Sequence, residues 1–467
     1  AYKIKKAVDL GFVDWRTRES RRNACHREVE LNRRFAPDVY QGVAEVRGPD
    51  GEVCDWLVVM RRMPADARLA ALVRSGVAVE DHLRDVARIL AAHHAAARRS
   101  ARIDRAGTAE ALWARWQSNL ETLRELSPPA DPGTVSAVWT LAEQYVRGRT
   151  RLLQGRVAAG LVRDGHGDLL AEDVFCLPDG PRILDCLEFD DDLRALDGVD
   201  DAACLAMDLE RLGAPALGER FLTWFVEFSG HPCPDSLVHH YVAYRAVMRA
   251  KVAALRARQA GGPAADECRQ LMGLGLRHLT AAQPTLVAVG GLPGTGKSTL
   301  AAALADARGA VLVRSDRLRK ELAGLDPAAD AAAPWRHGIY SAEWTRRVYD
   351  EMARRAAELL TAGESVVLDA SWSSERDRRK AREVASTAYA AWRPLRCVAP
   401  AEVARQRIRD RRRGVGEPSD ASPEIAAAMT PEFDPWEEVT EVNTMASLRE
   451  SLEHALQVLR EPPASGG

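Results

Sequence analysis

The sequence predicts a mixed fold, with an α+β N-terminal half followed by an α/β C-terminal half built as a doubly wound parallel sheet. Three observations carry this. From Pro284 onward, short β-branched runs alternate with helical stretches. Between the first of these runs and its helix stands a glycine-rich loop, Gly291-Leu292-Pro293-Gly294-Thr295-Gly296-Lys297-Ser298. Upstream, residues 1 to about 65 hold strand-like runs around one helical stretch, and long helical patterns dominate thereafter.

The loop is the most informative stretch. Leu286-Val287-Ala288-Val289 reads as a buried parallel strand and Thr299 to Ala305 as a helix, so strand, loop and helix come in the order that phosphate binding requires. Glycines let backbone N–H groups turn inward onto phosphate oxygens, and the helix N-terminus adds partial positive charge. Gly291 to Thr299 are therefore the candidate ATP-binding residues. Lys297 would reach the β- and γ-phosphates, and the Ser298 hydroxyl would ligate Mg²⁺. Ala310-Val311-Leu312-Val313 is the second strand and runs into Arg314-Ser315-Asp316. A carboxylate at the carboxyl end of such a strand is placed to receive substrate, which makes Asp316 a candidate catalytic base and Arg319 a candidate acceptor contact. A helix N-cap is the alternative reading of Asp316. Ser365 to Ala370 is a third strand, ending in Asp369, a candidate metal support. Leu395 to Ala399 is a fourth. The basic helix after it carries Arg407 and Arg411 on one face, ahead of the glycine-containing segment Gly414 to Pro418. This pair is expected to serve as lid arginines that neutralise the transferred phosphoryl, with a solvated basic helix as the alternative.

The N-terminal half holds a second constellation. The helix is expected over Arg18 to Phe35, and Trp56 to Met60 reads as an apolar strand. Lys3 and Lys5 share one face of the first strand, and Glu28 and Glu30 lie on the helix. Further on, His166-Gly167-Asp168 is followed by Asp173, and then by the run Ile183-Leu184-Asp185, which reads as a strand ending in a carboxylate. Glu188 to Asp192 is a dense acidic cluster, readable either as a ligand contact or as a solvated loop. His93 and His94 sit inside a helical stretch and read as packed or capped side chains.

These residues resemble the catalytic loop of the aminoglycoside phosphotransferase family, a relative of the protein kinases. The resemblance runs from residue 1 to about 258 and implies a two-lobed, protein-kinase-like domain. It implies Asp168 as the base for an attacking hydroxyl and Asp185 as a metal ligand. Asp173 would be a second metal ligand, standing where the family has asparagine. It also implies a lysine–glutamate pair that contacts nucleotide phosphates, with Lys3 (or Lys5) and Glu28 (or Glu30) as candidates, and a bracing aspartate at Asp197 or Asp200. The family's glycine-rich strand pair is missing ahead of the lysine, and the chain starts at Ala1 on a strand-like run, so N-terminal truncation is expected. The C-terminal half resembles, over roughly 284 to 440, the small P-loop kinases: gluconate kinase, the zeta-toxin group, chloramphenicol phosphotransferase and polynucleotide 5′-kinase. The whole resembles bacterial fusions of these two kinds of domain, which implies ATP and Mg²⁺ at two sites.

The expected organisation is a kinase-like domain over 1–258, a linker with a short helix over 259–283 and a P-loop domain over 284–467. Length alone supports two or three domains at 467 residues. The formal net charge of −2 argues against a protein that coats nucleic acid, although the arginine-rich lid keeps a 5′-end kinase as one reading. No apolar run approaches the roughly 18 residues that span a bilayer. The eight cysteines form no C-x-x-C pair and read as reduced thiols, which places the protein in the cytoplasm. The expected partner is a small hydroxyl-bearing acceptor: a sugar, a sugar acid or an aminoglycoside-like molecule. Oligomeric state is left open.

Overall fold

The computed structural model describes residues 1–9, 14–126, 128–260, 262–326, 336–411 and 422–460. Its chain forms two compact units, Ala1–Val146 with Leu152–Ala282, and Arg147–Arg151 with Gln283–Gly467.

The first unit begins with a three-stranded antiparallel sheet of β1 (Tyr2–Ile4), β2 (Tyr40–Arg47) and β3 (Val53–Met60), in the order β1-β3-β2. The helix Arg18–Asn32 starts at Thr17, whose hydroxyl accepts from Ser20 N at 3.1 Å. It buries Cys25 and Val29 in a small core with Val39, Tyr40, Val58 and Leu184. A larger core follows, built by helices that include Glu80–Ala96, Ala109–Glu125, Gly198–Arg211, Pro215–Ser229 and Asp235–Ala260. Two short antiparallel pairs sit beside it: β4 (Val162–Asp164) with β7 (Ala195–Asp197), and β5 (Val174–Leu177) with β6 (Gly180–Ile183). Between them they hold the turns that carry Asp168, Asp173 and Asp185.

Two expectations differ from this structure. The strand expected to end at Asp185 stops at Ile183, and Asp185 lies beyond it with a left-handed φ of 64°. The segment expected as a linker with a short helix is a 20-residue helix, Pro263–Ala282, packed along Asp235–Ala260. It buries Cys268, Leu271, Met272 and Leu279 in the first unit's core. Gly275 permits the close approach, since a Cβ there would lie 2.8 Å from Val247 Cγ2. The chain therefore doubles back inside the first unit between these two helices, and the unit ends at Ala282.

The second unit is a five-stranded parallel sheet of β8 (Thr285–Gly290), β9 (Val311–Arg314), β10 (Val366–Asp369), β11 (Ala391–Val398) and β12 (Thr440–Asn443). The order is β12-β11-β8-β10-β9. Strand β8 is central, with Val287 opposite Val367 on one side and Arg393 on the other. Apolar clusters cover both faces, one around Leu286, Leu368, Met352 and Trp372, the other around Val287, Val289, Leu300 and Leu395. Burial on both faces explains the continuous apolar runs of these strands. Among the described residues, no helix is long and apolar enough to cross a membrane. All eight cysteines are free.

Candidate functional site: the P-loop and a carboxylate cluster

The loop leaves the carboxyl end of β8 and enters the helix Lys297–Arg308. Gly291, Gly294 and Gly296 take φ of 134°, 84° and 84°, values that glycine adopts freely. Gly294 is also hemmed in, because a Cβ there would sit 2.3 Å from the Ala404 carbonyl oxygen. Thr295 closes the turn, its hydroxyl donating to Leu292 O at 2.8 Å. The loop walls a cavity of about 470 Å³, with Lys297, Ser298, Arg314, Arg407 and Thr444 around it. Lys297 forms no ion pair with a described residue.

Asp369 ends β10 beside the loop, 4% exposed, and its Oδ1 has no hydrogen-bond partner among the described residues. Burial raises its carboxyl above the usual range, opposed by the Lys297 charge and by Ser298. A buried carboxylate oxygen without a partner, next to a serine at a helix N-terminus, suits a divalent cation held partly by phosphate. Asp316 is in the first turn of the helix Ser315–Leu322, half-buried. The N-cap of that helix is Arg314, which makes no side-chain cap, so Asp316 is not the cap. It is near enough for its charge to help raise Asp369.

Two of the arginines are held by the protein itself. Arg407 donates to Thr444 O at 2.7 Å and to Thr444 Oγ1 at 3.2 Å, and the Thr444 hydroxyl donates to Thr295 O at 2.7 Å. Arg407 thus lines the cavity and is tied to the loop through Thr444. Arg319 is buried, donating to Ile339 O at 2.7 Å and stacked 4.9 Å from the Tyr340 ring, so its guanidinium braces that turn. The Arg411 side chain and residues 412–421, which contain the expected lid segment, lie outside the described residues. Thr444 and Arg314 were not singled out by sequence. Neither belongs to a motif, and only the sheet order brings β12 and β9 to the loop.

In the first unit, Lys3 lies 2.9 Å from Glu28 Oε1 and 2.6 Å from Asp185 Oδ1. Lys5 pairs with Glu28 Oε2 at 2.7 Å and also with Glu188. Both lysine candidates therefore meet at the fully buried Glu28, and Glu30 instead pairs outward with Arg27. Burial opposes the charge on Lys3, but the two carboxylates outweigh it and raise its pKa. The same ion pair lowers Asp185 against its burial. Asp173 shows the opposite balance. Burial first, then repulsion from Asp185 and Asp168, pushes its carboxyl up to about 8. Asp168 is approached by Arg249 Nη1 at 3.1 Å. Among the described residues, no group of three or more His, Cys, Asp or Glu side chains is arranged to hold a metal ion alone. A cation here would need further oxygens, such as those of a phosphate chain.

The loop carrying Asp168 is fixed by a residue the sequence reading passed over. Asp201, fully buried, accepts from His166 N at 2.7 Å, from Gly167 N at 2.9 Å and from His94 Nε2 at 2.9 Å. The expected braces act one step away. Asp200 pairs with Arg245, which donates to Gly167 O at 2.6 Å, and Asp197 pairs with Arg156 at 2.8 Å. His93 bonds Asp164 O at 3.0 Å, so both helix histidines support this frame. The acidic cluster is divided: Glu188 faces Lys5, Asp191 pairs with Arg27, and Asp192 with Arg102.

The parallel sheet and its glycine loop define the second unit as a P-loop nucleotide-binding domain, and residues 286–436 match a family described as "AAA domain". The chain as a whole belongs to the family of the protein called "Uncharacterized protein Rv2004c" of Mycobacterium tuberculosis. It is 41% identical to that protein over 463 residues, covering 98% of this chain and 92% of the relative. "Uncharacterized protein Mb2027c" of Mycobacterium bovis matches with the same figures. Similar solved structures include a gluconokinase from Sinorhizobium meliloti, with 20% identity, TM-score 0.29, and coverage of 38% of this chain and 91% of that one. Another is the Mycobacterium tuberculosis APS kinase CysC in complex with AMPPNP and APS, with 19% identity, TM-score 0.28, and coverage of 38% and 99%.

Proposed function

We propose that the second unit is an ATP- and Mg²⁺-dependent kinase that phosphorylates a hydroxyl group of a small polar molecule. The observation that carries this reading is the buried Asp369 Oδ1, which has no hydrogen-bond partner among the described residues, beside Lys297 and Ser298 and a glycine loop that a Cβ would block. Loop amides and Lys297 would bind the phosphates, while Ser298 and Asp369 would hold Mg²⁺, which when bound supplies charge neutralisation on the phosphates. Arg407, held by Thr444, would bind the nucleotide from the far wall. Asp316 would accept the proton of the acceptor hydroxyl as its oxygen bonds to the γ-phosphorus and the bond to ADP breaks. A sugar or sugar acid is the favoured acceptor class, and the protein would act in the cytoplasm.

The first unit is proposed as a second, kinase-like phosphotransfer centre of the aminoglycoside-phosphotransferase type. The Lys3–Glu28 pair and the facing Asp168, Asp173 and Asp185 support it. A second reading, a ligand-sensing module of weak catalytic power, is favoured by one observation. Asp173 adds a third carboxylate whose charge the apo cluster resists.

The test of the main reading is Asp316→Asn in the full chain, with phosphorylated acceptor followed by mass spectrometry. A catalytic base predicts a kcat loss of about 10²–10⁴-fold with nucleotide KM unchanged. Unchanged kcat overturns the assignment.

A further inference from the structure

The first unit contains a cavity of about 620 Å³ among the helices Gly198–Arg211, Pro215–Ser229, Asp235–Ala260 and Pro263–Ala282, and none of the carboxylates discussed above lines it. Its volume lies in the range of small-molecule sites. One wall is apolar, with Leu222, Val226, Val238 and Val242. The lining also carries a chain of hydrogen bonds. His278 Nε2 lies 2.8 Å from Glu210 Oε2, and His278 Nδ1 lies 2.9 Å from His239 Nδ1.

The chemistry of the partners orients this chain. A carboxylate only accepts, so His278 donates from Nε2. With its single proton on Nε2, His278 has a bare Nδ1, and His239 then donates from its own Nδ1. His239 is left with a lone pair on Nε2, its one remaining nitrogen, on the cavity wall. Burial lowers the pKa of His239 and favours its neutral ring. The bond from His278 lowers Glu210 and keeps it a carboxylate. Arg277 does not make the cavity cationic, because its guanidinium is paired with Glu210 at 3.0 Å. At the mouth, the exposed carboxylates of Glu219 and Asp235 form no salt bridge with a described residue.

We propose that this cavity is a second small-molecule site, selective for an organic ammonium with an apolar body, whose N–H donates to His239 Nε2. The hydrocarbon part packs on Leu222, Val226, Val238 and Val242, and Glu219 and Asp235 balance the charge. A lone-pair acceptor backed by a carboxylate selects a donor, an acidic rim selects a cation, and an apolar wall selects against small hydrated ions.

The test is calorimetric titration of the full-length protein with hexylammonium, with hexanol and hexanoate as matched probes. Hexylammonium is expected to bind, hexanol at least about tenfold more weakly, and hexanoate not at all. His239→Leu should weaken hexylammonium by about tenfold or more, and His239→Gln, which keeps an acceptor oxygen, by less. Should His239→Leu lower the melting temperature, the surface pair Glu219→Gln with Asp235→Asn decides, and a loss of about threefold or more is expected. Absence of hexylammonium binding, equal binding of hexanoate, or affinity unchanged in both variants overturns the proposal.

Discussion

Removing the Asp201 carboxylate should loosen the Asp168 loop selectively. Asp201→Ala deprives three buried donors, His166 N, Gly167 N and His94 Nε2, of their acceptor at distances of 2.7–2.9 Å. Each buried group left unpaired costs about 1–3 kcal/mol, and breaking one side of a buried charged network typically costs about 3–5 kcal/mol in total. At about 1.4 kcal/mol per tenfold, hydrogen exchange in peptides spanning 162–187 should accelerate by about 100-fold or more, while 285–300 stays unchanged. The pH dependence adds a second signature. Burial pushes the Asp201 carboxyl up, but the hydrogen bond from His94 outweighs it and helps hold the carboxyl below its ordinary value. Its contribution is therefore full above the unfolded carboxylate pKa of about 4 and is lost as pH falls below it. The wild-type and variant curves should converge in acid. An acceleration below about fivefold, or one shared equally by 285–300, would refute the reasoning.

Three other perturbations follow from the geometry. Gly294→Ala should abolish nucleotide binding and cost about 2–4 kcal/mol by thermal melting, because a Cβ meets Ala404 O at 2.3 Å on a left-handed backbone. Thr444→Val removes the hydroxyl linking Arg407 to Thr295 O, so ATP affinity measured by calorimetry should fall about 5–30-fold while the melting temperature shifts little. Asp173→Asn, measured in chelator, should stabilise the first unit increasingly as pH rises. The native Asp173 binds its proton up to about pH 8, so wild type loses stability between about pH 4 and 8 and the variant does not. A gain of about 1–3 kcal/mol at pH 9 is expected, and no difference in melting between pH 5 and 9 would contradict the repulsion.

Much of the site was legible in the sequence where chemistry is local. The glycine loop names itself because three positive-φ turns and a helix start lie within eight residues, and the strand before it is buried on both faces. Glu28 was legible as one of two acids on a helix, but only packing separates it from Glu30, since one points at Lys3 and Lys5 and the other at Arg27. Asp201 was passed over because Asp197, Asp200 and Asp201 are equivalent in pattern. Their roles differ by helical phase, which turns Asp201 toward His166 and Asp200 toward Arg245. Thr444 was invisible because its partners, Arg407 and Thr295, are far away in the chain. The 263–282 segment reads in sequence as a linker with a short helix, because a Gly-Gly-Pro break marks a boundary, and only the burial of Cys268, Leu271 and Leu279 shows that the helix packs into the first unit.

The most direct test of the central claim is acceptor-dependent ATP turnover by the full chain across sugars, sugar acids, aminoglycosides and nucleosides, with Lys297→Ala and Asp168→Asn alongside. Lys297→Ala is expected to remove a sugar- or sugar-acid-dependent turnover by about 10³-fold or more, and Asp168→Asn to leave that activity intact. Turnover that survives Lys297→Ala and disappears in Asp168→Asn would move the chemistry to the first unit and contradict the account.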